Sequence, residues 1–349
     1  YQEDLEPARR ALDAARKAGV DAVIASDMAA IMYCRRIGME VHISTQLSIS
    51  NAEALKFYAQ FADVVVLARE LNLGQVREIY DTISREDIKG PSGRHVRIEM
   101  FAHGALCMAI SGKCYLSLQT YGASANRGAC FQLCRRGYEV TDLETGTQLN
   151  IDNKYIMSPK DLCTIEFMDK IIDAGVKVFK IEGRARSAEY VKRCAQCYRK
   201  AADAVCEGTY TPALAASLKA ELSEVFNRGF WDGYYQGARL GEWSDVYGSH
   251  ATRKKIYCGK ITNWFDRISV AEVLVESEAL RKGDDILIIG ETTGVIEQNV
   301  SEIRVDLKPT DEAGKGTLCS IPIIFPDDIR TPGGKKIRRG DKVYIWREV

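Results

Sequence analysis

Cysteine is the residue type in this chain best suited to bind a metal, and the cysteines are unevenly placed. Four of the eleven fall in the segment 99–138, at Cys107, Cys114, Cys130 and Cys134. After an apolar stretch, VRIEMF, which predicts a buried strand, some thirty residues follow without a sustained helical or alternating pattern. A connection of this length inside a compact domain is commonly functional, and its four thiols must be bound or buried. The segment therefore predicts a metal centre.

The spacing of these thiols favours an iron–sulfur cluster over zinc. Four thiolates can hold either a zinc ion or a [4Fe–4S] cluster. Structural zinc sites typically present paired CxxC knuckles, which this segment lacks, whereas a cubane accepts one thiolate at each corner. Buried cysteines without a metal are the alternative. The one CxxC of the chain, Cys194 and Cys197, lies on the apolar stripe of a helical pattern, which predicts core packing rather than a redox pair.

Composition gives no sign of a membrane protein or of a global nucleic-acid surface. The 349 residues carry a formal net charge of zero with 28% charged residues, so any RNA-binding surface would be local. No apolar run approaches the roughly 18 residues that span a bilayer. Eleven irregularly spaced cysteines do not resemble a disulfide framework in a chain of this size. We therefore expect a cytoplasmic protein without a membrane partner.

Strands alternate with helices along the first 250 residues, which indicates a parallel sheet with βαβ crossovers. Predicted strands cover 21–26, 40–44, 63–68, 96–101 and 176–181, and predicted helices cover 1–18, 28–37, 52–61, 73–83, 159–174 and 188–207. The α/β pattern predicts a (β/α)₈ TIM-like barrel, N-terminally incomplete, over residues 1–250, with a cysteine-rich loop at 102–163. An open doubly wound sheet is the alternative, although no GxGxxG follows a strand. Short alternating strands predict a small all-β barrel domain at 251–349.

Polar residues stand at the ends of four predicted strands, where a barrel of this kind carries its active site. They include His42 and Gln46, Arg69 and Glu70, His103, and Glu182 and Arg184. The candidate catalytic residues among them are His42, His103, Arg69 and Glu182. A structural network of Arg–Glu pairs, or histidines that only complete hydrogen bonds, is the alternative interpretation.

Six motifs carry a resemblance to a known family. In chain order they are STQLSISN, LARELNL, HGALCMAISGKCYLS, SANRGAC, SPKDLC and KIEGRARSAEYV. Together they resemble the U32 family, historically described as peptidases or collagenase-like proteases, over roughly residues 21–235. The resemblance also implies that the chain lacks the family's N-terminal portion, which would supply the remaining barrel strands.

The resemblance implies an oxygen-independent hydroxylase with a [4Fe–4S] cluster. Characterised members act on a tRNA wobble uridine, with prephenate as the implied oxygen source, on a cytidine of large-subunit rRNA, or on ubiquinone precursors. The C-terminal β-domain resembles the tRNA-modifying branch, so the expected product is 5-hydroxyuridine at the tRNA wobble position and the expected partner is tRNA. The electron donor and the oligomeric state are not implied.

By the same resemblance the cluster ligands are Cys107, Cys114, Cys130 and Cys163, the last from SPKDLC. Cys134 competes for the fourth place. Cys134 follows Cys130 by only four residues, which is a short spacing for two ligands at different corners of one cluster. Cys163 is therefore the preferred ligand.

A dicarboxylate donor such as prephenate calls for guanidinium forks. Arg127 and Arg184 are therefore the first predicted substrate-binding residues, together with Gln46 and Asn126.

Two other functions compete with the hydroxylase. One is a U32 peptidase, for which His103 and Cys107 could form a dyad, although the chain has no HExxH or GxSxG motif. The other is a non-catalytic RNA-binding module with a structural metal.

Overall fold

The computed structural model describes residues 1–139, 141–146, 157–237, 241–244, 248–325 and 337–349. The described residues form two compact units. The first comprises Tyr1–Glu182, Tyr198–Lys219 and Asn227–His250, and the second comprises Gly183–Cys197, Ala220–Phe226 and Ala251–Val349. No described helix is long and apolar enough to cross a membrane.

The first unit alternates strands with helices, as the sequence predicts. Its strands are β1 (Ala22–Ala25), β2 (Glu40–Ile43), β3 (Val64–Val66), β4 (Arg97–Gly104), β5 (Asp161–Cys163), β6 (Val176–Ile181) and β7 (Phe230–Trp231). Its helices are α1 (Leu5–Lys17), α2 (Met28–Arg36), α3 (Ala52–Ala59), α4 (Leu73–Arg85), α5 (Leu116–Tyr121) and α6 (Met168–Asp173). Two further helices, α7 (Ala188–Glu207) and α8 (Pro212–Ser223), contribute residues to both units.

The sheet of the first unit follows chain order. Strands β1, β2, β3 and β4 pair in parallel, and β6 pairs in parallel with β4. Since the order does not reverse, the described sheet has no topological switch point of the doubly wound kind. Its described strands also leave the sheet open, so the closed (β/α)₈ barrel is not confirmed.

Helix capping and burial explain the regular part of this unit. The side chains of Asp27, Asn51 and Asn72 cap α2, α3 and α4 by accepting backbone N–H bonds in the first turn. The three valines of β3 are all buried, as expected for a parallel strand covered on both faces. Helix residues such as Leu55 and Val76 join the same core.

The predicted helix at 159–174 is wrong in its first half. Residues Asp161–Cys163 form β5, Ile165–Phe167 form a 3₁₀ turn, and α6 begins only at Met168. Cys163 pairs with His103 at the end of β4, antiparallel to it, while β5 pairs in parallel with β7. Tertiary strand pairing therefore overrides the helical start signal of the sequence.

The second unit contains the C-terminal strands, and the described residues of 251–349 are all-β apart from one 3₁₀ turn, as predicted. The strands are β8 (Arg253–Phe265), β9 (Val270–Val275), β10 (Leu280–Arg281), β11 (Asp285–Gly290), β12 (Gly294–Asn299), β13 (Ile303–Val305), β14 (Lys308–Thr310), β15 (Glu312–Ala313), β16 (Leu318–Pro322) and β17 (Lys342–Glu348). Eight of them form one antiparallel sheet in the order β12-β11-β17-β8-β9-β16-β13-β14, and β10 pairs with β15. Because β12 and β14 are its edges in the described part, closure into a barrel is not confirmed.

The second unit also takes in residues that the sequence prediction gave to the first. Residues 183–197 and 220–226 group with the C-terminal strands rather than with 1–250. Arg193 explains part of this grouping, because its guanidinium contacts Glu297 at 2.6 Å and Glu224 at 3.2 Å. Cys194 and Cys197 on α7 are both fully buried, as expected for core packing.

Candidate metal centre and adjoining pocket

Four thiols of the cysteine-rich segment lie near one another. The pKa of Cys134 is raised mainly by burial. Electrostatic repulsion from Cys107, Cys130 and Cys114, which therefore lie close to it, raises that pKa further. Cys107 and Cys130 are exposed, while Cys114 and Cys134 are half-buried. We call these four residues the cysteine group.

The donor set of the cysteine group fits a cluster better than a single ion. Among the described residues, no three His, Cys, Asp or Glu side chains are arranged to surround one metal ion. A cubane takes one thiolate at each corner, so its ligands stand farther apart than the four around a zinc. Four nearby, partly exposed thiols suit soft iron–sulfur ligation.

Cys163, the preferred fourth ligand, lines a different pocket from Cys107, and its choice as a ligand stays a prediction. It is 5% exposed on β5, and its sulfur accepts a hydrogen bond from the Tyr198 hydroxyl at 3.7 Å. Burial raises the pKa of the Cys163 thiol to about 11. The residue lines a separate pocket of about 340 Å³ that also contains Lys219 and Trp231. Strand pairing holds Cys163 in the sheet, whereas Cys134 lies with the other three thiols.

Arg135 ties the two ends of the cysteine-rich segment together. Its Nη2 donates to the carbonyl of Leu106 at 2.5 Å, and its Nη1 donates to the carbonyl of Pro159 at 2.8 Å and to Ser158 Oγ at 3.2 Å. Leu106 directly precedes Cys107 and Arg135 directly follows Cys134. One guanidinium therefore fixes the backbone beside two members of the cysteine group.

Gln46, a predicted substrate-binding residue, contacts the cysteine-rich segment. Its Oε1 accepts a hydrogen bond from Ser26 Oγ at 2.6 Å. A Cβ atom placed on Gly112 would lie 2.8 Å from Gln46 Nε2, and Gly112 has a φ of +80°. Since Gly112 lies between Cys107 and Cys114, the 3₁₀ turn Thr45–Leu47 after β2 packs closely against the segment that joins those two thiols.

A small pocket lies beside Cys107. Its volume is about 170 Å³, and its lining includes Cys107, Arg69, Thr45, Ser48, Ser111 and Tyr234. The Arg69 guanidinium stacks over the Phe101 ring at 3.8 Å and donates to the Ala105 carbonyl at 3.3 Å. We call this cavity the Arg69 pocket. It brings one predicted catalytic residue next to one predicted cluster ligand.

His42, another predicted catalytic residue, belongs to a charged cluster on the sheet. Its Nδ1 lies 2.6 Å from Glu99 Oε2, and Glu99 is 3% exposed. Lys180 Nζ lies 3.7 Å from Glu99 Oε1, and burial lowers the pKa of Lys180. Sequence reasoning missed Glu99 and Lys180, although a glutamate inside the apolar stretch VRIEMF was a usable signal.

His103 and Glu182, two further predicted catalytic residues, are linked by a backbone hydrogen bond. His103 is buried, with Nδ1 3.3 Å from the Tyr198 hydroxyl and its ring against Phe230. Glu182 donates its backbone N–H to the His103 carbonyl, and its charge raises the pKa of Lys180. Arg184 belongs to the second unit.

Arg127 is already paired within the chain. Its Nη2 lies 2.7 Å from Asp4 Oδ1, and its guanidinium stacks over Tyr1 at 4.5 Å. The ion pair holds the pKa of Asp4 below its usual value. Arg127 and Asn126 line another cavity, of about 710 Å³, and neither lines the Arg69 pocket.

The chain is similar to known proteins of two kinds, some named collagenase and others named for hydroxylation of RNA. A protein of Porphyromonas gingivalis named collagenase is 58% identical over 344 residues, which cover 99% of this chain and 81% of the relative. The tRNA hydroxylation protein P1 of Bacillus subtilis is 32% identical over 83% of this chain and 68% of its own length. The 23S rRNA 5-hydroxycytidine C2501 synthase of Escherichia coli is 38% identical over 69% of this chain and 36% of its own length. Residues 1–245 match the description of peptidase family U32, so the chain belongs to that family.

Proposed function

We propose that this protein is an iron–sulfur-dependent, oxygen-independent hydroxylase of an RNA pyrimidine. The observation that carries the proposal is the cysteine group, four neighbouring thiols on one segment, placed beside the Arg69 pocket. The product we propose is 5-hydroxyuridine at the tRNA wobble position, with prephenate as the oxygen donor. An RNA substrate of this kind would be met in the cytoplasm.

The residues of the cysteine group, Cys107, Cys114, Cys130 and Cys134, would hold the [4Fe–4S] cluster. When bound, such a cluster supplies electron transfer. Arg135 would position the ligands, because it fixes the backbone at Leu106 and lies next to Cys134. Gln46 would support the turn between Cys107 and Cys114 through its contact with Gly112.

The RNA substrate is supported by relatives rather than by a readable RNA surface. Two of the relatives are named for hydroxylation of tRNA and for synthesis of 5-hydroxycytidine in 23S rRNA. Both names describe hydroxylation of RNA, and the second also names a pyrimidine product. Basic residues of the second unit, such as Arg338 and Arg339, could contact phosphates, whereas Lys335 and Lys336 lie outside the described residues.

A peptidase is the second candidate, because a relative with 58% identity carries the name collagenase. The buried position of Cys163 speaks against that thiol as a nucleophile, and the exposed Cys107 belongs to the cysteine group. A peptidase of the cysteine class needs one thiolate next to a base, while a cluster needs four thiolates.

The test is anaerobic purification of the full chain with iron and sulfide analysis and an absorbance spectrum. We expect a brown protein with about four irons per chain, lost in Cys107→Ala and Cys134→Ala. Cys163→Ala tests the other candidate for the fourth ligand. Cys206→Ala is the matched control, since Cys206 is exposed on α7 and should keep full iron.

Activity is measured on tRNA from cells that lack 5-hydroxyuridine, after expression of each variant. Wild-type protein should restore the nucleoside only in cells that make prephenate, and Cys134→Ala should not restore it. A colourless, iron-free protein that digests collagen would overturn the hydroxylase and favour the peptidase.

A further inference from the structure

Arg69 presents a guanidinium that the described protein does not neutralise. Its Nη1 makes one hydrogen bond, to the Ala105 carbonyl, and its buried Nε has no hydrogen-bond partner among the described residues. No carboxylate in the described ranges lies within 4 Å of it as an ion pair, although the exposed Glu70 lines the same pocket. A partly buried charge without a counter-charge is unfavourable, so the position favours an anion from outside the chain.

The surroundings of Arg69 restrict the shape of that anion. Hydroxyl groups of Thr45, Ser48, Ser111 and Tyr234 line the Arg69 pocket and can hydrogen-bond to oxyanions. Arg69 is held in place from behind by the Phe101 ring at 3.8 Å, so its planar donor edge is pre-oriented. A volume of about 170 Å³ suits a small molecule.

We infer that the Arg69 pocket binds a small carboxylic acid, with the carboxylate on the Arg69 guanidinium and the rest of the acid next to Cys107. A carboxylate is favoured because the two oxygens of a planar acid match the guanidinium fork. This assignment replaces Arg127, whose guanidinium is paired with Asp4.

The inference deepens the proposed function, since the acid would be its second substrate, but the pocket itself requires no cluster. The second cation nearby does not compete for the acid. Lys180 Nζ lies 5.2 Å from the Phe101 ring centroid and is paired with Glu99. Arg69 is therefore the cationic group of the pocket lining to which we assign the carboxylate.

The experiment is calorimetric titration of the anaerobically purified protein with malonate, malonamide and inorganic phosphate. Malonamide has the shape of malonate without its charge, and phosphate tests whether a tetrahedral oxyanion suffices. We expect malonate to bind at least tenfold more tightly than either probe. Arg69→Met should weaken malonate binding by about tenfold or more, because a charge-assisted bidentate contact is lost.

Two further variants keep the result interpretable. Arg69→Met retains an apolar chain over Phe101 and removes an unpaired charge, so we expect it to fold and to unfold at no lower temperature than wild type without malonate. Arg85→Gln, an exposed arginine on α4, is the matched control and should bind malonate like wild type.

Equal malonate binding by wild type and Arg69→Met would overturn the inference. Tighter binding of phosphate or malonamide than of malonate would also overturn it. Iron content is measured on the same samples, so loss of the proposed cluster and loss of acid binding appear as separate results.

Discussion

Glu99 Oε2 lies 2.6 Å from Nδ1 of His42, across the strand that separates β2 from β4 in the sheet. Glu99 is 3% exposed and also faces Lys180, so one buried carboxylate serves two basic side chains. Neither basic residue is close to Glu99 in the chain, and the cluster exists only because parallel strands place the three side chains together.

Glu99→Gln tests how much this cluster stabilises the fold. Replacing the carboxylate leaves Lys180 partly buried without its counter-charge, so we expect the free energy of unfolding to fall by about 2 kcal/mol. Urea unfolding followed by circular dichroism measures the change. Glu78→Gln, at an exposed position of α4, is the control and should change stability by less than about 0.5 kcal/mol. Equal stability of the two variants would contradict the prediction.

Arg135→Gln tests the tie at the base of the cysteine-rich segment. The shorter neutral side chain cannot reach both the Leu106 and the Pro159 carbonyls, so local opening should become easier by about 1 kcal/mol, roughly fivefold. Limited digestion with chymotrypsin measures this opening through cleavage at Tyr115, Tyr121 or Phe131.

The neighbouring residue provides the matched control for that digestion. Arg136 is exposed, and its guanidinium donates a hydrogen bond to the Tyr121 hydroxyl and lies over the Tyr121 ring. Arg136→Gln should therefore be cleaved at nearly the wild-type rate. If both variants were cleaved equally fast, Arg135 would have no special role in holding the segment.

Gly112→Ala tests the contact between Gln46, in the 3₁₀ turn after β2, and the turn from Cys107 to Cys114. The φ of +80° strains an alanine by about 1–2 kcal/mol, and the added Cβ would collide with Gln46. In a Gln46→Ala background the collision is removed but the backbone strain stays, so the cost should shrink without vanishing. A double-mutant cycle on unfolding free energy or on iron retention measures this coupling. Strict additivity would show that Gln46 does not touch the turn.

Buried thiols of the second unit predict a loss of stability at alkaline pH. Burial raises the pKa of Cys258 from the usual 9.0 to about 12. Between these values the unfolded chain releases a proton that the folded chain keeps, so stability falls as pH rises through that window. One such group contributes about 1.4 kcal/mol per pH unit.

Cys258→Ala should flatten that pH dependence, measured as unfolding free energy at several pH values from 8 to 11 under reducing conditions. Cys206→Ala, which removes an exposed thiol, should leave the slope unchanged. An unchanged slope in Cys258→Ala would show that this thiol does not take part.

Much of the fold could be predicted because its signals are local. Apolar runs such as DVVVLA and capping residues such as Asn72 determine where strands and helices lie, and the structure has them within a few residues. The helix predicted at 159–174 failed because β5 gains its hydrogen bonds from distant strands, and no pattern in SPKDLC reports those partners.

The candidate site was predictable in its residue types and much less so in its geometry. Cysteine spacing marked the segment, but only the structure shows that Cys163 is paired in the sheet while Cys134 lies near the other three thiols. Arg135 carries no sequence signal, since its neighbour Arg136 has the same side chain. Arg69 was marked by its position after a strand, whereas only the structure shows that no carboxylate of the described residues forms an ion pair with its guanidinium.

The pairing of β5 with the end of β4 has a consequence for the order of folding. Thr164 Oγ1 donates to the Ala102 carbonyl at 3.0 Å although the two residues are 62 positions apart in the chain. Closing a long loop costs entropy that grows slowly, by about 0.6 kcal/mol for each doubling of its length. Such distant contacts form late, after the local βα units have assembled. We therefore expect the cysteine-rich segment to close over a sheet that is already built, so that the proposed cluster would be inserted as one of the last events of maturation.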